Sequence, residues 1–223
     1  MSLPALEGMN ALIDGISIST APEVIHIQSA SPLTVLSSAV TGGGFRRARH
    51  ILNFHVEKGY QCDDPAADLR ARASQLGVNE SFIGLMTAVY LHKARSAFFQ
   101  ADGLSAGAVV SAGVSNATCA GLTPPFSHGP GTINIILLLN ARLTRAAMLN
   151  AFITATEAKC AILQARNVRT AGDDPATGTS TDTLTVAITG AGVLQQYAGP
   201  VTTIGWLIAG AVRQALDESL SAS

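Results

Sequence analysis

Apolar positions along the chain follow two kinds of spacing, and each predicts an element type. Short β-branched runs bounded by glycine read as strands at 24–28, 33–40, 108–114, 132–139 and 184–188. The first two are so close that a hairpin over 24–40 is expected. Asp64 and Pro65 predict a helix start, with Asp as N-cap and Pro at the first helical position; Gly77 ends it after Leu76. Asn79 can cap a second helix over 80–98, and 143–165 reads as a long alanine-rich third. A fourth, over 202–220, is amphipathic in its last turns. Strands and helices interleave irregularly, which predicts an α+β fold: a mixed, largely antiparallel sheet with helices packed on its faces. No linker interrupts the pattern, 171–179 reads as a long exposed loop, and one domain over 1–223 is expected. Ala39–Gly44 and Ala187–Gly192 look alike, as strands closing in glycine turns commonly do.

Charge changes this picture. Between 103 and 141 there is no Asp, Glu, Lys or Arg, and between 175 and 212 the only charged residue is Asp182. Charged side chains normally coat a fold, so these stretches are expected to be buried. Hydrophobic residues make up 48% of the chain, charged residues 13%, and mean hydropathy is +0.32. A spanning helix needs about 20 apolar residues in a row. The most apolar run, 133–143, is broken by Asn134, Asn140 and Arg142, so no span is expected. Residues 1–10 lack the basic residue and apolar core of a signal peptide. A net charge of −1, with Arg46, Arg47 and Arg49 as the densest basic group, argues against a nucleic-acid partner. Three scattered cysteines, Cys62, Cys119 and Cys160, form no CxxC and fit a reducing cytoplasm.

Common catalytic signatures are missing: there is no Gly-Lys phosphate loop, GxGxxG or HExxH. His50 and His55 are five apart, which suits chelation on neither strand nor helix. Gly113-Val114-Ser115-Asn116-Ala117 has the start of a nucleophile elbow, but Ala117 replaces its second glycine, and a strand-to-turn junction fits better. Lys159, one of three lysines, lies in the most apolar helix; Thr156 shares its face while Glu157 points away. It reads as an acid or base, or as a lysine snorkelling to the surface. Thr177-Gly178-Thr179-Ser180-Thr181-Asp182 clusters hydroxyls around a lone carboxylate, either an oxyanion site or a capped turn. Asn116, Thr132 and Asn134 are polar within apolar stretches and need partners, and Asn53 and His55 share one strand face.

These residues, taken in order, resemble the adenosylcobinamide amidohydrolase family. The likeness runs through Leu36-Ser37-Ser38-Ala39-Val40, Asn53-Phe54-His55-Val56, Gly84-Leu85-Met86-Thr87-Ala88 and Ala112-Gly113-Val114-Ser115-Asn116-Ala117. It continues through Gly131-Thr132-Ile133-Asn134-Ile135, Thr156-Glu157-Ala158-Lys159, Thr177–Asp182 and Tyr197-Ala198-Gly199. Residues 1–30 and 59–77 match no such pattern and are candidates for shaping substrate preference. The resemblance implies hydrolysis of the amide between aminopropanol and a corrin ring, with a small-molecule corrinoid as partner. No cofactor, metal, membrane or nucleic acid is expected, and a homo-oligomer is compatible. The chemistry assigns catalysis to Asp182, Glu157, Lys159, Thr179 and Ser180. Asp182 or Glu157 would activate water, or a hydroxyl of Thr179 or Ser180 would attack with Lys159 as base. Ser37, Ser38, Asn53, His55, Asn116, Thr132 and Asn134 are the expected substrate contacts. Two rivals follow: self-processing at Thr179, Ser180 or Thr181, and a corrinoid carrier whose cobalt is ligated by His55 or His128.

Overall fold

A computed structural model describes residues 13–125 and 131–222 of the chain. Among these described residues, twelve strands and three α-helices follow one another. They begin with β1 (Ile16–Thr20), β2 (Val24–Ser37), β3 (Gly44–His55), α1 (Pro65–Gln75), β4 (Phe82–Thr87), β5 (Arg95–Ala101) and β6 (Leu104–Gly113). Then come β7 (Ala117–Thr118), β8 (Thr132–Asn140), β9 (Arg142–Leu143), α2 (Arg145–Ala165), β10 (Gly178–Thr179), β11 (Thr183–Ile188), β12 (Leu194–Gln195) and α3 (Thr203–Ser221). Eight strands build one sheet in the order β4-β3-β2-β11-β8-β6-β5, with β1 beside the first half of β2. β3–β4 and β8–β11 are parallel and the other pairs of this sheet antiparallel, so the fold is the mixed α+β type expected.

Within the charge-free stretches, 104–112, 132–141, 183–188 and 204–212 are the strands and helix at the centre. By contrast, 114–125 and 189–203 are mostly loop and stay largely exposed, with Val193 79%, Tyr197 71% and Val201 99% exposed; a lack of charge there did not mean burial. On one face of the sheet Val110, Ile135, Leu137 and Val186 pack against Ala151 and Leu163 of α2 and Leu207 and Ile208 of α3. On the other, Ile136, Leu138 and Ala187 meet Ile25, Ile27, Ile51 and Ile83, because the sheet rolls over onto itself. Each such Val, Leu or Ile side chain contributes about 1.5–3 kcal/mol on burial, and a charge at any of these positions would be costly. α1 covers the outside of the roll, with Leu69 and Ala73 against Leu52, Phe54 and Phe82. The roll is closed by a pair of hydrogen bonds between Thr41 and Gly84, at 3.1 and 2.9 Å. Only glycine fits at 84: a Cβ there would lie 2.8 Å from the Phe82 ring and 3.2 Å from the Thr41 side chain.

The three described helices are capped by Asp64, as expected, and by Thr144 and Thr202; these side chains accept from the backbone N–H of Ala67, Ala147 and Gly205 in turn. Three further expectations are corrected. Residues 80–98 form β4, a 3₁₀ turn (Leu91–Lys93) and β5 instead of a helix, since a short apolar run does not distinguish strand from helix and here it pairs with β3 and β6. The 24–40 hairpin is one strand, in which Ser31-Pro32 is a bulge: pairing jumps from Gln28↔His50 to Leu33↔Ala48. α2 does have the length and apolarity to cross a membrane, at a mean hydropathy of 1.2. In this fold its buried face, including Ala147, Ala151 and Ala155, lies in the core.

Candidate functional site

α2 packs across β10 and β11, and this brings the lysine of the apolar helix to the carboxylate of the charge-free segment. Lys159 Nζ donates to Asp182 Oδ2 at 2.5 Å, with the two side chains only 12% and 17% exposed. Asp182 Oδ1 accepts from Thr179 Oγ1 at 2.5 Å, from Thr179 N at 3.2 Å and from Ile133 N at 3.1 Å. Four donors thus surround one carboxylate, which offsets the cost of taking it out of water. Gly178 makes the approach possible, since a Cβ there would lie 2.5 Å from Asp182 Oδ2 and 2.7 Å from Lys159 Nζ.

A second polar layer adjoins this cluster. Asn134 Nδ2 donates to Asn53 Oδ1 and to Met86 O, both at 2.8 Å, and Asn53 Nδ2 donates to Ser111 Oγ at 3.1 Å. The rolling of the sheet is what lets β3 and β4 reach β8 and β6 here. Thr132 Oγ1 donates to Thr181 O at 2.9 Å, Thr181 Oγ1 to Gly131 O at 3.0 Å, and Asn116 Nδ2 to Ser180 Oγ at 2.7 Å.

Thr132, Thr181 and Thr183, which flank Ile133 and Asp182, form one wall of an open cleft of about 360 Å³; Val40, Gly131 and residues 56–61 and 86–88 form the rest. A neighbouring cleft of about 290 Å³ shares Lys58, Ala88 and Gly131 with it and adds Tyr90, Lys93 and Ser115. The 56–61 wall is anchored by Tyr60, whose Oη donates to Asp68 Oδ2 at 2.8 Å. Burial, then hydrogen bonds to Cys62 and Asp68, push the Tyr60 phenol well above its usual pKa. The bond from Tyr60 also holds the Asp68 carboxyl below the usual range.

Of the expected catalytic residues, Asp182, Lys159 and Thr179 meet directly, while Ser180 follows Thr179 in the turn and its Oγ accepts from Asn116 Nδ2. Glu157 is exposed on α2, outside the cluster. Thr132, Asn134, Asn53 and Asn116 belong to the adjoining layer. Ser37 bonds Thr185 Oγ1 at 2.7 Å and Ser38 Oγ accepts from Leu184 N at 3.1 Å, so both hydroxyls tie β2 to β11. His55 donates from Nδ1 to Val89 O at 3.1 Å and stacks on Tyr90 at 5.1 Å. His128 lies outside the described residues. Lys58, Tyr60, Tyr90 and Lys93 were not anticipated as cleft residues. Lysine scarcity was the available signal, because all three lysines, Lys58, Lys93 and Lys159, gather around these clefts. Among the described residues, no group of three or more His, Cys, Asp and Glu side chains could hold a metal ion.

The fold is similar to that of the PH0078 protein from Pyrococcus horikoshii, with a TM-score of 0.51 and 12% identity over 93% of this chain and 83% of that one. A Methanosarcina mazei protein named adenosylcobinamide amidohydrolase is 36% identical over 117 residues, 52% of this chain and 54% of the relative. The Methanocaldococcus jannaschii protein MJ1613 is 45% identical over 92 residues, 40% of this chain and 36% of the relative. The matched part of the chain therefore spans about half or less of these relatives' length. The family described as adenosylcobinamide amidohydrolase matches residues 9–223, nearly the whole sequence, and the chain belongs to that family.

Proposed function

We propose that the protein hydrolyses the amide joining aminopropanol to the corrin ring of adenosylcobinamide, giving adenosylcobyric acid for corrinoid salvage and cobalamin synthesis. Family membership supports the substrate class. The observation that carries the chemistry is the meeting of Lys159, Asp182 and Thr179 directly behind the threonine wall of the cleft. Thr179 Oγ1 already donates to Asp182 Oδ1, so attack of this oxygen on the amide carbon passes its proton to the carboxylate, which Lys159 holds in place. That proton then goes to the departing amine nitrogen as the C–N bond breaks, and water hydrolyses the resulting ester and restores the hydroxyl. Thr179 is 8% exposed, so the carbonyl has to enter past Ser180 and Thr181, whose side chains hold the turn through Asn116 and Gly131. Three free cysteines suit a reducing cytoplasm as the place of action.

The test is incubation of the purified chain with adenosylcobinamide, followed by mass spectrometry for free aminopropanol. Release is expected, retained by Thr179→Ser and lost in Thr179→Val. Folded protein that binds the corrinoid without releasing aminopropanol is a carrier, and the reading fails.

A further inference from the structure

The smaller cleft carries a feature that amide hydrolysis leaves unused. Lys58 and Lys93 both line it, and no Asp or Glu does. Glu57 belongs to the wall of the larger cleft. Among the described residues neither lysine forms an ion pair, whereas Lys159, Arg70, Arg72 and Arg166 each do. Lys58 is exposed and Lys93 half-buried, and two cationic side chains lining one concavity give it a positive potential. With no acidic side chain among its described lining residues, the cleft favours an anion.

We infer that this cleft is a subsite for a phosphate group, held between the ammonium groups of Lys58 and Lys93. Lysine is a compact, strongly hydrated point charge, which suits the dense charge of a phosphate monoester, about −1.5 to −2 near neutral pH, better than a single carboxylate. The position adds a consequence that rests on the proposed reaction. Lys58, Ala88 and Gly131 are common to both clefts, so a phosphate here sits beside a substrate in the larger one. The hydroxyl of the amino-alcohol arm is the group of the leaving fragment that can carry such an ester. Free inorganic phosphate is the other source of the same chemistry.

Isothermal titration at low ionic strength, without any corrinoid, tests the subsite independently of catalysis. The probes are inorganic phosphate, O-phosphorylated aminopropanol and plain aminopropanol, each against the wild-type chain and the Lys58→Gln/Lys93→Gln variant. Both phosphates should bind the wild type, and the double substitution should weaken them at least about tenfold, the equivalent of about 1.4 kcal/mol. Binding should also fall as salt rises. Tighter binding of the phosphorylated amino alcohol than of inorganic phosphate assigns the site to an ester on the arm; equal binding assigns it to the free ion. If neither phosphate binds, or if the folded double variant binds them as well as wild type, the subsite does not exist. Failure of adenosylcobinamide turnover leaves this readout untouched.

Discussion

Two ion pairs on α2 have the same chemistry and different settings. Lys159–Asp182 has side chains 12% and 17% exposed, whereas Arg166–Asp217, two turns further along, has side chains 39% and 44% exposed. Arg166 also donates to Asp217 O and to Ser221 Oγ, and so ties the end of α2 to the end of α3. Its bond to Asp217 pulls that carboxyl below the usual range. Water screens this pair, and its removal is tolerable. The inner pair has little water, so it depends on the Thr179 and Ile133 donors and on a glycine at 178. A buried pair is a poor way to gain stability, because apolar residues of similar volume do as well or better. Retaining it points to use of the carboxylate.

The sharpest way to break this contrast is Asp182→Ala, which leaves Lys159 buried without its partner. It should destabilise the fold by about 3–5 kcal/mol in urea denaturation and stop aminopropanol release. The Lys159→Met/Asp182→Leu double variant should recover most of that stability and none of the activity; turnover by the double variant would make the pair purely structural. Next is Gly178→Ala, whose Cβ would wedge against both charged groups; a loss of about 1–3 kcal/mol and slower release are expected.

A smaller effect is expected at His26, whose pKa is held below 6.5 by burial and then by His50, its hydrogen-bond partner at 2.9 Å. His50 in turn bonds Glu80 at 3.1 Å. Below its usual pKa the unfolded chain binds a proton that folded His26 resists, so stability should fall as pH drops through about 6.5. Denaturation midpoints between pH 8 and 5 should show this slope, and His26→Gln should flatten it. The smallest effect belongs to Arg166→Ala: a slight shift in melting temperature that added salt erases, with normal aminopropanol release. A large loss would mean that exposure does not separate the two pairs.

Much of the fold was legible where local chemistry decides. Asp64-Pro65 marks the start of α1 because a cap hydrogen bond is made within a few residues. Strand and helix could not be told apart at 80–98, because pairing with β3 and β6 involves partners distant in sequence. Lys159 and Asp182 stood out because each interrupts an apolar segment. That Lys159 pairs with Asp182 instead of snorkelling to the surface was decided by the packing of α2 over β10 and β11. Lys58 and Tyr60 sit in an ordinary polar loop and become cleft residues only because the roll brings 56–61 opposite Thr132 and Thr181.

The sequence by itself determined the α+β class, the start of α1, the burial of the charge-free central strands and the family, since these rest on composition, local capping and ordered short motifs. Tertiary structure alone decided that β2 is one bulged strand, that the sheet rolls and closes at Gly84, and that three scattered lysines share one neighbourhood. The physical reason is range. Caps and patterning act over a few residues, whereas the desolvation that forces Lys159 onto Asp182 exists only once distant strands and helices have excluded the water between them.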